Sequence, residues 1–230
     1  MKKTGIDLRT GTAVVKITEA DHSTLAHFSD GSVQPFGLMV WSVGLAKVNF
    51  VKHCELPMNK QGRIIVDEYL RVQGVGGGRI FALGDCSSVE AKPLPPIASV
   101  AEQQGTYLTD CFNEHYKNFD VTDATQELPL PGAVAAPIGL PFPRSLYPRS
   151  ATFRFYSVGA MASFGFGDGV VDLTHADVTK GFFSARIRGF MAMLVWRYGY
   201  LSKQLSWTNM ILVPMYWWKS FLFGRDISRF

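Results

Sequence analysis

Hydrophobic and polar positions change their rhythm several times along this chain. Residues 6–44 read as a β meander. "AVVKIT" (Ala13–Thr18) and "STLAHFSDGS" (Ser23–Ser32) are β-type runs, and Asp30-Gly31 is a hairpin turn. "FGLMVWSVG", Phe36 to Gly44, is an unbroken apolar run ended by glycine, the pattern of a strand buried on both faces. Ahead of these, the first residues read as the end of a helix stopped at Gly5. Their apolar part is too short and too polar for a signal peptide.

Residues 46–118 change style. "GRIIVDEYLRV" (Gly62–Val72) predicts a short apolar strand followed by a turn, "VQGVGGG" a flexible turn, and "RIFALGD" (Arg79–Asp85) a second buried strand. Ile97, Val100, Ala101, Tyr107, Leu108, Cys111 and Phe112 then recur at helical spacing. Pro95-Pro96 sets the start of that helix and Gly105 weakens its middle. Residues 119–150 are rich in Pro, Gly and Ala and predict a loop or insertion outside the core. Residues 151–230 open with two strand-like runs around Gly159 and a glycine-rich turn, and continue aromatic, basic and helical.

Composition alters this picture in one respect. Of 230 residues, 47% are hydrophobic and 18% charged, too apolar for a disordered chain. The net charge of +4 is unevenly spread: Lys180 to Phe230 carries +7 and the remainder −3. The basicity therefore belongs to the tail and is no nucleic-acid footprint of the whole chain. Cys54, Cys86 and Cys111 form no CxxC pair, and the five histidines have no metal-ligand spacing. No metal site is expected, and the cysteines read as reduced, structural thiols.

"RIFALGDC" stops on Gly84-Asp85. In an open α/β sheet ligands sit beyond the carboxyl ends of strands. A glycine there lets backbone approach a ligand closely, and an aspartate accepts hydrogen bonds from hydroxyls such as those of a ribose or ribityl chain. The plainer alternative is that Asp85 caps a turn completed by Ser87 and Ser88.

The tail has a physical reading of its own. From Gly181 to Phe230 there are thirteen aromatic residues, four of the chain's five tryptophans among them. Its longest charge-free run, Gln204 to Trp218, has fifteen residues and contains Pro214. A membrane span needs about twenty apolar residues. Arg186, Arg188, Trp196, Arg197, Trp207, Trp217 and Trp218 suit a lipid headgroup region, where rings lie at the interface and cations meet anionic lipid. The expected role is a monotopic membrane anchor; packing on the protein or on a second copy is the alternative.

In order, "GRIIVDEYLRV", "RIFALGDC", "LPPIASVAEQQGTYL", "FRFYSVGAMASFGFGDGVVDL" and the Trp-rich basic tail resemble the type II (alternative, rotenone-insensitive) NADH:ubiquinone oxidoreductases. "VWSVGL" (Val40–Leu45) looks like the strand by which that family's NADH-binding domain returns to its flavin domain. The resemblance implies an α/β fold with two Rossmann-like dinucleotide-binding domains and a C-terminal helical anchor. It divides the chain into the end of the NADH-binding domain (1–45), the end of the FAD-binding domain (46–118), the insertion (119–150) and a hairpin with anchor or dimerisation helices (151–230).

The resemblance also implies roles. Asp85 matches the aspartate that holds the FAD ribityl chain, with Gly84 letting it pass. Ala98, Val100 and Ala101 match the helix start whose amides lie against the flavin, and Gly44 the domain return. Gln103 matches the second glutamine of the family's Ala-Gln-x-x-x-Gln quinone pattern, Ser99 replaces the first, and Glu102 lies between them. The implied cofactors are FAD and the electron donor NADH. The implied partners are ubiquinone, a lipid surface and a second copy of the chain, with no nucleic acid. The implied location is the mitochondrial inner membrane in a eukaryote and the plasma membrane in a bacterium.

Two Gly-rich phosphate loops of the GxGxxG type are expected of such an enzyme. "GVGGGR" (Gly74–Arg79) precedes a strand and "GFGDGV" (Gly165–Val170) lies in a hairpin, so neither qualifies. The chain thus reads as a C-terminal portion, with the first FAD half-site and most of the NADH site upstream, and on its own it is expected not to oxidise NADH. Three rival readings remain: an apoptosis-inducing-factor-like or other pyridine-nucleotide-disulfide-type flavin reductase, a non-catalytic membrane-associated interaction protein, and a nucleic-acid binder through the basic tail, against which the tail's aromatics and apolar stretches favour lipid.

Overall fold

The computed structural model describes residues 7–20, 23–42, 49–120, 126–137, 140, 143–165, 167–174, 176–177, 186–204 and 206–224. The chain forms two units, residues 1–46 and 47–230. The expected helix end at Gly5 and the glycine Gly44 lie outside the described residues.

In the first unit, strands β1 (Val14–Ala20), β2 (Ser23–Phe28) and β3 (Val33–Phe36) form an antiparallel sheet in the order β1-β2-β3. Asp30 makes the β2–β3 turn. Its carboxylate accepts the Ser32 hydroxyl (2.6 Å) and the Ser32 N–H (2.9 Å), which hold it below the usual carboxylate range. The apolar run after β3 departs from expectation: residues 37–42 form no strand, and Leu38, Val40 and Trp41 are exposed. A strand buried on both faces needs a layer on each side, and no described element of this unit supplies them.

The second unit is α/β. A short helix, α1 (Asn49–His53), leads to β4 (Ile64–Val66), which pairs in parallel with β5 (Ser87–Val89), Val66 opposite Val89. Parallel neighbours require a crossover, here residues 67–86. Asp67 opens it by accepting the N–H groups of Tyr69 and Arg71, both at 2.9 Å, and pairing with the Arg71 guanidinium at 2.7 Å. Leu70 is thereby turned fully into the core beside Val66 and Val72. Gly76–Gly78 form a tight turn with three positive φ angles, a backbone only glycine takes readily. The expected strand over Arg79–Asp85 does not form. Phe81 makes a single bridge to Arg71, and the strand begins only at Ser87, after Gly84 has broken the extended run at φ +73°.

Helix α2 (Ala98–Glu114) lies over this sheet. Its buried positions are Val100, Gln103, Gln104, Tyr107, Leu108 and Cys111, a regular stripe in steps of three and one. Burial pushes the Cys111 thiol up to about 11, and it stays protonated at neutral pH.

The Pro-rich segment is no detached insertion. Leu128 and Val134 belong to the core cluster with Leu70, Leu108 and Cys111. Val134 and Ser150 exchange N–H···O bonds of 3.0 Å, closing the segment on itself. Arg144 pairs with Asp110, and Arg149 with Glu114 at 2.6 Å, tying it to α2. Its composition denies it regular backbone pairing, but not apolar side chains that α2 can cover.

Beyond it, β6 (Ala160–Gly165), β7 (Asp168–Asp172) and β8 (Arg186–Arg188) make an antiparallel sheet against which α3 (Phe190–Ser202) packs through buried Ala192 and Met193. Arg186 and Arg188 therefore lie on a strand, not on a tail helix, and Arg186 pairs with Asp172 at 3.0 Å. Helix α4 (Trp207–Phe223), with Pro214 inside it, has no buried residue among those described. No described helix is long and apolar enough to cross a membrane.

Two leucines test the role of the Pro-rich segment. Leu128→Ala (7% exposed) should destabilise by about 2–5 kcal/mol, as for a core leucine, whereas Leu130→Ala (57% exposed) should change stability by less than about 0.5 kcal/mol in urea denaturation.

Candidate functional site: the Gly84–Asp85 turn and the head of helix α2

The residues Gly84–Cys86 form a single 3-10 turn that feeds β5. Asp85 thus stands before a strand, not at the carboxyl end of one. Three neighbours close the turn. The Gly84 N–H donates to Gln104 Oε1 at 2.7 Å. The Ser87 hydroxyl donates to the Gly84 carbonyl at 3.1 Å, and Cys86 Sγ contacts the Leu83 carbonyl at 3.3 Å. Ser87, not Asp85, does the capping. Asp85 is exposed, and its carboxylate has no hydrogen-bond or ion-pair partner among the described residues.

The head of α2 lies beside this turn. A Cβ built on Gly84 would sit 3.5 Å from Ala101 Cβ, an ordinary van der Waals distance, so the helix head lies beside the glycine. No side chain caps α2: Ile97 is its N-cap residue and its carbonyl accepts the N–H groups of Val100 (3.0 Å) and Ala101 (3.3 Å). The N–H groups of Ala98 and Ser99 keep no acceptor among the described residues. Of the helix-start residues expected to offer amides, Ala98 offers a free one, whereas Val100 and Ala101 have theirs engaged. Val100 is buried and Ala101 half-buried; they shape the turn by packing.

Glu102, Gln103 and Gln104 follow at steps of about 100° around the helix and so reach three different regions. Glu102 pairs with Lys203, just past the end of α3, at 2.6 Å. Gln103, 4% exposed, spends its amide on one backbone position: Nε2 donates to the Tyr156 carbonyl and Oε1 accepts the Tyr156 N–H, both at 2.9 Å. Gln104 takes Gly84. Ser99 is half-buried and its hydroxyl has no partner among the described residues. Tyr156 also lines an open groove of about 560 Å³ with Lys92, Leu94, Phe153 and Arg154.

Gln104 was not among the residues singled out from the sequence. The signal was present: the apolar stripe of α2 has a six-residue step from Ala101 to Tyr107, and Gln103 and Gln104 fill the buried positions within it.

The tail residues divide. Trp196 leans on Tyr200 with centroids 4.4 Å apart, Arg197 lies 5.0 Å over the Trp217 ring, and Trp218 stacks with Phe221 at 6.1 Å. Trp207 stands 80% exposed at the start of α4.

Breaking the Gln103 clamp should be measurable. Gln103→Leu leaves the Tyr156 N–H and carbonyl without their partner and should cost about 1–3 kcal/mol in chemical denaturation. Gln103→Glu, which keeps only the acceptor, should fall between Leu and wild type.

Two family profiles match the chain. The pyridine nucleotide-disulphide oxidoreductase profile covers residues 1–105 and the NDH2 C-terminal domain profile residues 158–226. The mitochondrial internal alternative NAD(P)H-ubiquinone oxidoreductase A1 of Arabidopsis thaliana is 34% identical over 234 residues, covering all of this chain and 40% of that protein. External NADH-ubiquinone oxidoreductase 2 of Saccharomyces cerevisiae is 28% identical over 97% of this chain and 40% of its own length. The chain thus spans about 40% of the length of the curated relatives it matches. In fold it is similar to the structure of NDH2 from Plasmodium falciparum in complex with NADH, with a TM-score of 0.65 at 18% identity, over 95% of this chain and 52% of that one. A flavoprotein-type profile followed by the NDH2 C-terminal domain profile, with relatives aligned along the whole chain, makes this chain similar from end to end to the C-terminal part of the type II NADH:ubiquinone oxidoreductases.

Proposed function

We propose that the protein carrying this chain passes electrons from NADH through FAD to ubiquinone at a membrane surface, without pumping protons. This chain would supply the ribityl-binding turn, the flavin-facing helix head and the interfacial tail. The observation that carries the reading is that an exposed Asp85 carboxylate and the open N–H groups of Ala98 and Ser99, none with a partner among the described residues, belong to a turn and a helix that meet at Gly84 and Ala101.

These residues fit FAD. A carboxylate that caps nothing in the protein is available to hydroxyl donors of the ribityl chain. Gly84 presents bare backbone beside it. The two open amides at the head of a 17-residue helix favour negative charge on the ring edge facing them. When bound, FAD supplies the hydride acceptance and onward electron transfer that no side chain offers. The protein's part is to hold, orient and stabilise.

Among the three residues that resemblance places on the quinone side, Ser99 alone has a side chain without a partner among the described residues, so we assign quinone contact to Ser99. Glu102 and Gln103 hold α2 against α3 and the Tyr156 segment. Ubiquinone is lipid-soluble, which gives the tail its purpose: α3 and α4 bring the site to the membrane. Exposed Trp207, Tyr198, Tyr216 and Trp218 with Arg197 and Lys203 suit a headgroup layer. The same exposed helices offer a second copy of the chain an apolar surface, and we place the enzyme as a homodimer on the mitochondrial inner membrane, the compartment named in its relatives.

Asp85→Ala in the protein carrying this chain should lower FAD affinity about ten- to a hundredfold, since hydrogen bonds to a charged acceptor contribute about 1.5–3 kcal/mol. Flavin titration checks this, and unchanged occupancy would refute the site.

The tail makes a separate prediction. Trp207→Ser with Trp218→Ser should weaken liposome co-sedimentation at every ionic strength. Arg188→Gln with Arg197→Gln should weaken it mainly at low salt on anionic vesicles, because each cation near the surface contributes about 1 kcal/mol and salt screens it. No sedimentation by the unmodified protein would assign the tail to protein contacts alone.

A further inference from the structure

We infer that Gln104 is the positioning residue of the cofactor turn: by accepting the Gly84 N–H it sets where Asp85 stands. The inference rests on the flavin reading of Asp85 given above.

Gln104 is 2% exposed. The rest of its stripe on α2 includes Val100, Tyr107, Leu108 and Cys111, and leucine or methionine would fill its place by packing alone. A buried amide is tolerated only when hydrogen-bonded. Its oxygen meets the Gly84 N–H at 2.7 Å, twenty residues away in sequence.

The geometry around Gly84 explains what this bond controls. The peptide before Gly84 is held through its N–H by Gln104. The peptide after it is held through its carbonyl by the Ser87 hydroxyl at 3.1 Å. Ala101, one turn before Gln104 on the same side of α2, abuts Gly84 where a Cβ would be. Both peptide planes flanking the glycine are therefore fixed against one helix and one strand. Asp85 needs no contact of its own to be placed: its Cα is set by the second of these planes. Glycine at φ +73° is otherwise free to rotate, and such rotation would move Asp85 relative to the head of α2. Gln104 thus fixes the turn that carries Asp85 against the helix that carries the open amides of Ala98 and Ser99.

The test uses the protein carrying this chain and compares Gln104→Leu (similar size, no acceptor), Gln104→Glu (acceptor kept) and Leu108→Ala (a buried neighbour on α2 away from the turn). FAD dissociation constants and thermal midpoints are measured for each, alone and combined with Asp85→Ala. Gln104→Leu should weaken FAD binding about tenfold beyond Leu108→Ala at matched loss of thermal stability. Gln104→Glu should recover most of it. In the Asp85→Ala background the effect of Gln104→Leu should largely vanish, because Gln104 acts through Asp85. Equal FAD affinities for Gln104→Leu and Leu108→Ala, or full additivity with Asp85→Ala, would reduce Gln104 to a core residue and overturn the inference while leaving the flavin site standing. If Asp85→Ala itself leaves FAD affinity unchanged, the flavin reading fails and this inference falls with it. Should Gln104→Leu not fold, Ser87→Ala, which frees the other peptide of Gly84, must show the same coupling to Asp85 or the inference is rejected.

Discussion

Two consecutive buried glutamines on α2 decide how the second unit of this protein is put together. Apolar burial drives the collapse of Leu70, Val66, Leu108 and Leu128 into one core, but it is non-directional and tolerates sliding. An amide carried into that core does not tolerate it, since an unpaired polar group there is costly. Gln104 is satisfied only if the Gly84 turn lies against it, and Gln103 only if the backbone at Tyr156 does. These bonds join segments 20 and 53 residues apart. They give a single register to pieces that have almost no sheet of their own, two strands of three residues each.

The consequence for chemistry is that the candidate cofactor turn is organised from behind. Asp85 and the open amides of Ala98 and Ser99 make no bonds among the described residues, and what fixes the turn and the helix lies one layer deeper. That division is what a binding site requires: the groups that meet the ligand are left unengaged, and their positions are set by groups that never touch it. Glu102 extends the arrangement outward, pairing with Lys203 between α3 and α4. At half exposure this pair contributes little to stability. Its interest is that it joins the helix proposed to face the flavin to the region proposed to meet the membrane.

The tail follows different physics. α4 buries none of its described residues, and Trp207, Phe221 and Phe223 are almost fully exposed. An exposed surface so apolar marks an interaction site. One of its cations, Arg197, lies over the Trp217 ring, an association compatible with the headgroup boundary proposed for the tail. The uneven charge along the chain has its structural counterpart here.

The sequence by itself determined what depends on near neighbours. The Asp30-Gly31 turn, the Gly76–Gly78 turn, the extent of α2 after Pro95-Pro96 and the aromatic-basic tail all follow from backbone preference and local periodicity. Gly84 and Asp85 stood out locally as a turn that could meet a ligand, whereas the role of the head of α2 was implied only by the family resemblance. Only the tertiary structure decided what depends on distant partners. Arg79–Asp85 has a strand's composition, but the ladder it needed is limited to one bridge with Arg71, and the parallel partner of β4 is Ser87–Val89 instead. Phe36–Ser42 is apolar enough for a buried strand, but no described element of its own unit covers it. Leu128 and Val134 sit in a Pro-rich stretch that reads as a loop, yet α2 and its ion pairs to Arg144 and Arg149 draw them into the core. Gln104 looks like an ordinary polar helix residue until the chain brings Gly84 within 2.7 Å of it. Strand pairing and buried hydrogen bonds join groups remote in sequence, and no local pattern encodes which remote group will arrive.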